Sequence, residues 1–180
     1  MNPDFYKQIA KSNASTNCRN GLKKLVLDSP ELLTDLIQIT TDLSDENHYK
    51  AVWITEMIAE TDTVLLAPFT QNLIPFFSKC KHQSAVRGTS RIAYFLAVSA
   101  TITLTENEEQ QLIETCLDWL IGDAKVAPKA YAMYTLCHFA KKNDWIATEL
   151  HNIIEKDFAA QSAGYKAAAK EVLKKINNYK

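Results

Sequence analysis

The chain has 180 residues, enough for one domain with a sizeable core, and its 47% apolar content is that of an ordinary globular protein. A formal net charge of −1 argues against a general polycation of the nucleic-acid-coating kind but leaves room for a local patch. Four glycines and five prolines are too few to punctuate a β-sandwich or barrel, whereas the prevailing Ala, Leu, Lys, Glu and Ile favour helix or tolerate it.

Stop signals divide the chain into short helical segments. The first 28 residues, with Phe5, Ile9, Leu22, Leu25 and Val26, read as a partial hairpin capping whatever follows. Ser29-Pro30 predicts a helix start, Ser as N-cap and Pro at the first helical position, followed by Leu32, Leu33, Leu36, Ile37 and Ile39 at helical spacing. Tyr49, Val52, Trp53, Met57 and Ile58 form the next apolar stripe. Thr61-Asp62 opens a third segment that Pro68 and Pro75 should kink or break between residues 63 and 79. Ser84 suits the cap of a fourth. Thr105 and Glu108 form a capping box for a fifth, which ends at Gly122. Pro128 fits the first turn of a sixth, running to about residue 141. Asp144 is the expected cap of a seventh, and Ser162 with Gly164 precedes the eighth. Linkers of about two to six residues make neighbouring helices antiparallel.

Eight segments make four hairpins, and their second helices share a frame. Lys50, Arg87, Lys129 and Lys166 head it at spacings of 37, 42 and 37 residues. Ala51, Gly88, Ala130 and Ala167 follow, and Met57, Tyr94, Leu136 and Leu173 come seven positions after the cation. A small residue lets two helices approach closely, and a large one fills the layer between hairpins. One hairpin cannot cover its own apolar face, so four must stack. The expected fold is all-α, a right-handed α-α superhelix of the HEAT or armadillo kind. Residues 1–28 form its helical cap and residues 29–180 its four hairpins, as one domain.

Several stretches carry a resemblance. They are Val126-Ala127-Pro128-Lys129-Ala130-Tyr131, Asp118-Trp119-Leu120-Ile121, Ile154-Glu155-Lys156-Asp157-Phe158, and Tyr165-Lys166-Ala167-Ala168-Ala169 with Val172-Leu173-Lys174-Lys175-Ile176. Together these resemble a small bacterial family of HEAT-like proteins of about this length, over most of the chain. Members of that family often bear the label adenylosuccinate lyase. The lyases proper are a longer helical superfamily with a mobile serine-bearing loop of Met, Pro, Lys and Asn, and no stretch here matches it. The resemblance implies the fold and carries over no functional residue.

Charge separates between the helix sets. Segments 29–46, 62–80, 105–123 and 144–158 hold 16 acidic and 2 basic residues, whereas 47–61, 83–104, 124–142 and 162–180 hold 12 basic and 3 acidic. In such stacks the second helices line the concave face, which predicts a basic ladder of Lys50, Arg87, Arg91, Lys129, Lys166 and Lys170. The ladder suits an acidic peptide, a phosphorylated segment or a nucleic-acid backbone. The competing reading pairs each cation with an acid of the adjacent repeat.

Other chemistry is sparse. Cys18, Cys80, Cys116 and Cys137 form no C-x-x-C pair, and His48, His82, His138 and His151 fit no metal or catalytic spacing, so no metal, cofactor or catalytic residue is expected. Free thiols, the absence of a leader-like apolar stretch in residues 1–9, and an apolar run of only Ile92–Leu104 predict a cytoplasmic chain without a membrane span. Asp118-Trp119 and Asp144-Trp145, with a basic groove, invite comparison with HEAT-like alkylpurine DNA glycosylases. Helix capping by Asp144 and packing by Trp53, Trp119 and Trp145 explain the same residues more simply. The leading expectation is a non-catalytic interaction module binding a protein or acidic peptide. DNA binding is the alternative, and lyase activity ranks last.

Overall fold

The computed structural model describes residues 1–178 and contains helices and turns but no strand among them. The helices are α1 (Pro3–Lys11), α2 (Thr16–Asp28), α3 (Leu32–Thr41), α4 (His48–Thr61), α5 (Thr70–Lys79), α6 (Gln83–Val98), α7 (Glu106–Ile121), α8 (Val126–Phe139), α9 (Asp144–Asp157) and α10 (Ala163–Asn177). The chain divides into two compact units, Met1–Leu96 and Ala97–Lys180. No described helix is long and apolar enough to cross a membrane.

In the first unit α4 is the central element, packed on α1, α2 and α3. It buries Ala51, Val52, Ile54, Thr55, Ile58 and Ala59 and, unusually, Glu56. Thr55 Oγ1 donates to the Ala51 carbonyl at 3.0 Å, so the Thr40 hydroxyl, 2.9 Å away on α3, must be the donor of the pair between them. Both hydroxyls are buried and satisfied, as buried polar groups need to be. Residues 1–28 form two complete helices. Pro68 breaks the third predicted segment as expected. Residues 63–69 wind as a 3₁₀ helix, and α5 begins after them with Pro75 inside it.

In the second unit α8 holds the centre, packed on α7, α9 and α10. It buries Pro128, Lys129, Ala132, Met133, Thr135, Leu136, Cys137 and Phe139, nearly all round its circumference. A helix apolar on every side is one covered on every side. The Thr105–Glu108 capping box forms in full, Thr105 N–H donating to Glu108 Oε2 at 2.8 Å and Glu108 N–H to Thr105 Oγ1 at 3.2 Å. Ser162 caps α10 by accepting from Tyr165 N–H. Gly122 closes α7 in an extended conformation, φ −81°, rather than a left-handed one. A Cβ there would lie 2.8 Å from the Asp118 carbonyl oxygen, and that clash explains the glycine.

Three predicted caps are displaced. Ser84 lies inside α6, which begins at Gln83 with Val86 N–H bonded to His82 O at 2.9 Å. Ser29-Pro30-Glu31 is a turn, with Leu32 N–H bonded to Ser29 O at 2.9 Å, and α3 starts at Leu32. Asp144 is the first residue of α9, and the extended cap residue is Asn143.

The small position of the shared frame is also uneven. Ala51 and Gly88 are buried, Ala130 is half-buried and Ala167 exposed. At Gly88 a Cβ would stand 2.7 Å from Val52 Cγ1 and 3.1 Å from Glu56 Oε2. The close approach inferred from sequence is therefore real where α6 meets α4.

Candidate interaction surface

In the first unit the predicted cations lie on α4 and α6, and the chain's own groups already hold them. Glu56 is 2% exposed, a carboxylate that cannot stay charged there without partners. Arg91 supplies one, its guanidinium donating to Glu56 Oε1 at 2.5 Å and, through its other terminal nitrogen, to Glu60 Oε1 at 2.7 Å. Arg91 also lies over the Phe95 ring, 5.5 Å from the centroid. Arg87 stands 3.8 Å from Glu56 Oε2, an oxygen that accepts no hydrogen bond, and half of the Arg87 side chain is open to solvent. Two arginines thus face two glutamates across the α4–α6 contact. Lys50 donates to the Ala10 carbonyl at the end of α1 and lies 5.9 Å from the Tyr49 centroid.

Beside Lys50 is a ring cluster that spacing along the chain gave no reason to expect. Tyr49 stacks on His82 at 4.2 Å and 13°, Trp53 meets Tyr49 edge-on at 5.2 Å, and His48 meets His82 edge-on at 5.7 Å. His48 Nδ1 bonds to the Asp45 carbonyl at 2.8 Å. Burial, then the nearby charge of His48, holds the His82 imidazole below its ordinary pKa.

In the second unit the cations behave in three ways. Lys129 is buried and takes no ion pair among the described residues. Lys166 donates to the Ala159 carbonyl at 3.0 Å, with Phe158 at 5.8 Å beneath its ammonium. Lys170 is exposed. On the helix that bears Lys129, Tyr131 and Tyr134 meet edge-on at 6.2 Å, and Lys175 lies 5.9 Å from the Tyr134 centroid. The Tyr134 hydroxyl donates to Glu171 Oε2 at 3.1 Å, and Lys175 donates to Glu171 Oε1 at 2.7 Å. The Lys175 hydrogen bond, assisted by that from Tyr134, holds the Glu171 carboxyl below the usual range. His138 is also held below its ordinary pKa, by burial and then by Lys141 and Lys142.

The remaining sequence candidates scatter. Trp119 is packed at 8% exposure, as expected, but Trp145 is 51% exposed and contradicts its reading as a packing residue. Its place in the first turn of α9 points it away from the buried Ile146, Leu150 and Ile154. None of the four cysteines forms a disulfide. Burial pushes the Cys116 thiol up to about 12 and raises that of Cys80, which removes the thiolate a nucleophile would need. Among the described residues no three His, Cys, Asp or Glu side chains converge to hold a metal ion.

A family model described as a HEAT repeat domain matches residues 6–176. No curated protein and no solved structure matches the chain.

Proposed function

The chain belongs to the HEAT repeat domain family, and from that premise we propose that it is a non-catalytic module holding a protein or peptide against its second helices. In this reading those helices line the concave side, and acidic groups of the ligand sit beside their cations. The location that suits four cysteines without a disulfide is the cytoplasm.

One observation carries the reading: partly exposed aromatic rings lie beside cations in both units. Tyr49 and Trp53 flank Lys50 on α4. Tyr131 and Tyr134 sit on α8, where Lys175 of α10 lies 5.9 Å from the Tyr134 centroid, and Lys166 lies 5.8 Å from that of Phe158. Tyr and Trp with a nearby cation make effective anchors, because a rigid ring buries much area at small entropic cost while the cation sets orientation. Arg87 contributes as well, since it is held at salt-bridge distance without a hydrogen bond and keeps donors for a ligand.

The test is fluorescence anisotropy with a labelled Glu-rich peptide carrying one Leu, run against duplex DNA of matched charge. Trp53→Ala and Tyr131→Ala should each weaken peptide binding about tenfold, the scale of losing one anchor. Arg87→Gln should weaken it less. Tighter binding to the duplex, falling steeply with salt, would contradict the peptide reading and favour a DNA-binding role.

A further inference from the structure

Two exposed helix rows of opposite charge in the second unit share one spacing. On α7, Glu106, Gln110, Glu114 and Asp118 recur at every fourth position, and all are exposed. Residues four apart on a helix lie on one face, about 6 Å from each other. Gln110 Nε2 donates to Glu114 Oε1 at 2.7 Å, which orders the middle of the row. Ile121 continues the row beyond Asp118 and is 64% exposed, a costly place for an isoleucine.

On α10, Lys166, Lys170 and Lys174 recur at the same spacing. Lys170 and Lys174 are exposed and have no partner from this chain among the described residues. Just past Lys174 a cleft of about 180 Å³ opens between α9 and α10, lined by Ala147, Thr148, His151, Asn152, Ile176 and Asn177.

Read in chain direction, α7 presents acid, acid and an apolar knob, while α10 presents lysine, lysine and a cleft with an isoleucine in its wall. The same offset of 56 residues relates Glu114 to Lys170, Asp118 to Lys174 and Ile121 to Asn177 at the cleft. We propose that the α7 row of one copy docks parallel to the α10 row of a second copy. Glu114 then faces Lys170, Asp118 faces Lys174, and Ile121 enters the cleft.

Charge complementarity selects this occupant. α7 contains no basic residue, and the one acid on α10, Glu171, is already held by Lys175 and Tyr134. The contact is heterologous: each copy offers α7 to one neighbour and α10 to another, so copies join into a ring or a chain rather than stopping at a symmetric pair. Exposed ion pairs are individually weak and screened by salt, so the assembly is weak and salt-sensitive. It does not depend on the ligand reading above, because no peptide is present in its test.

Sedimentation velocity of the full chain, across protein concentrations at about 50 mM salt, should show the average mass rising with concentration, and about 500 mM salt should suppress the rise. Lys170→Glu with Lys174→Glu, and separately Glu114→Lys with Asp118→Lys, should each weaken self-association about tenfold or more. Ile121→Ser should weaken it with the charge unchanged. Mixing the two reversed variants, or combining all four changes in one chain, should restore it. All these positions are exposed, and circular dichroism checks that each variant folds. A wild-type chain that stays monomeric throughout, association that survives both reversals, or a charge swap that restores nothing would each overturn the proposal.

Discussion

The two units place the same sequence frame, a cation followed by a small residue, in different physical settings. In the first unit the frame builds a close helix contact. Gly88 lets α6 approach α4, and the buried Glu56 gathers Arg87 and Arg91 from the neighbouring helix. In the second unit the equivalent Ala167 is exposed, Lys166 turns to a backbone carbonyl, and Glu171 with Lys175 forms an ion pair about half open to solvent. The lesson is that a periodic cation does not by itself define a binding ladder. What its neighbour offers, a buried carboxylate or water, decides whether it serves cohesion or contact.

The sharpest way to break this comparison is to remove the two carboxylates in turn. Glu56→Ala removes the buried acceptor of Arg91, leaving it Glu60 at the surface, and should cost about 3 kcal/mol of unfolding free energy, whereas Glu171→Ala should cost less than about 1 kcal/mol. Urea denaturation of both variants measures the difference, and equal losses would end the distinction. Next in size is Gly88→Ala. Its added carbon meets Val52 at 2.7 Å, so a loss of about 1–3 kcal/mol is expected. Gly21→Ala has the opposite sign. That position lies inside α2 with nothing within 4 Å of the added carbon, and the change should raise stability by about 0.5–1 kcal/mol in the same denaturation series.

The smallest effect is a pH dependence contributed by one histidine in each unit. His82 and His138 have folded pKa values below the unfolded value of about 6.5. The unfolded chain therefore binds more protons, and stability is lost as pH falls through 6.5 toward the folded values. Thermal melts between about pH 7.5 and 5.5 should show this decline, flattened in the His82→Asn and His138→Asn variants. A decline unchanged in both variants would place its source elsewhere.

How legible the fold was follows from the range of each signal. The capping box at Thr105, the break at Pro68 and the helix start after Ser162 depend on residues within a turn of one another, and all appear. Ser29-Pro30, Ser84 and Asp144 failed by one or two residues because each also suits a turn or a position in the first helical turn. The separation of acid and base between the two helix sets could be read from the sequence, but the partners could not. Arg91 meets Glu56 and Glu60 across 35 and 31 residues, and Tyr49 meets His82 across a whole helix pair. Lys129 is buried although its spacing marked it as a surface cation. Position in the frame fixes which helix a residue is on, and only packing fixes what covers it.

The claim that a ligand lies along the second helices is tested most directly by amide NMR of the labelled full chain during titration with the Glu-rich peptide. Shift changes should concentrate on α4 and α6 around Trp53 and Arg87, and on α8 and α10 around Tyr131 and Lys170. Changes confined to α3, α5, α7 and α9, or no saturable change at all, would contradict it.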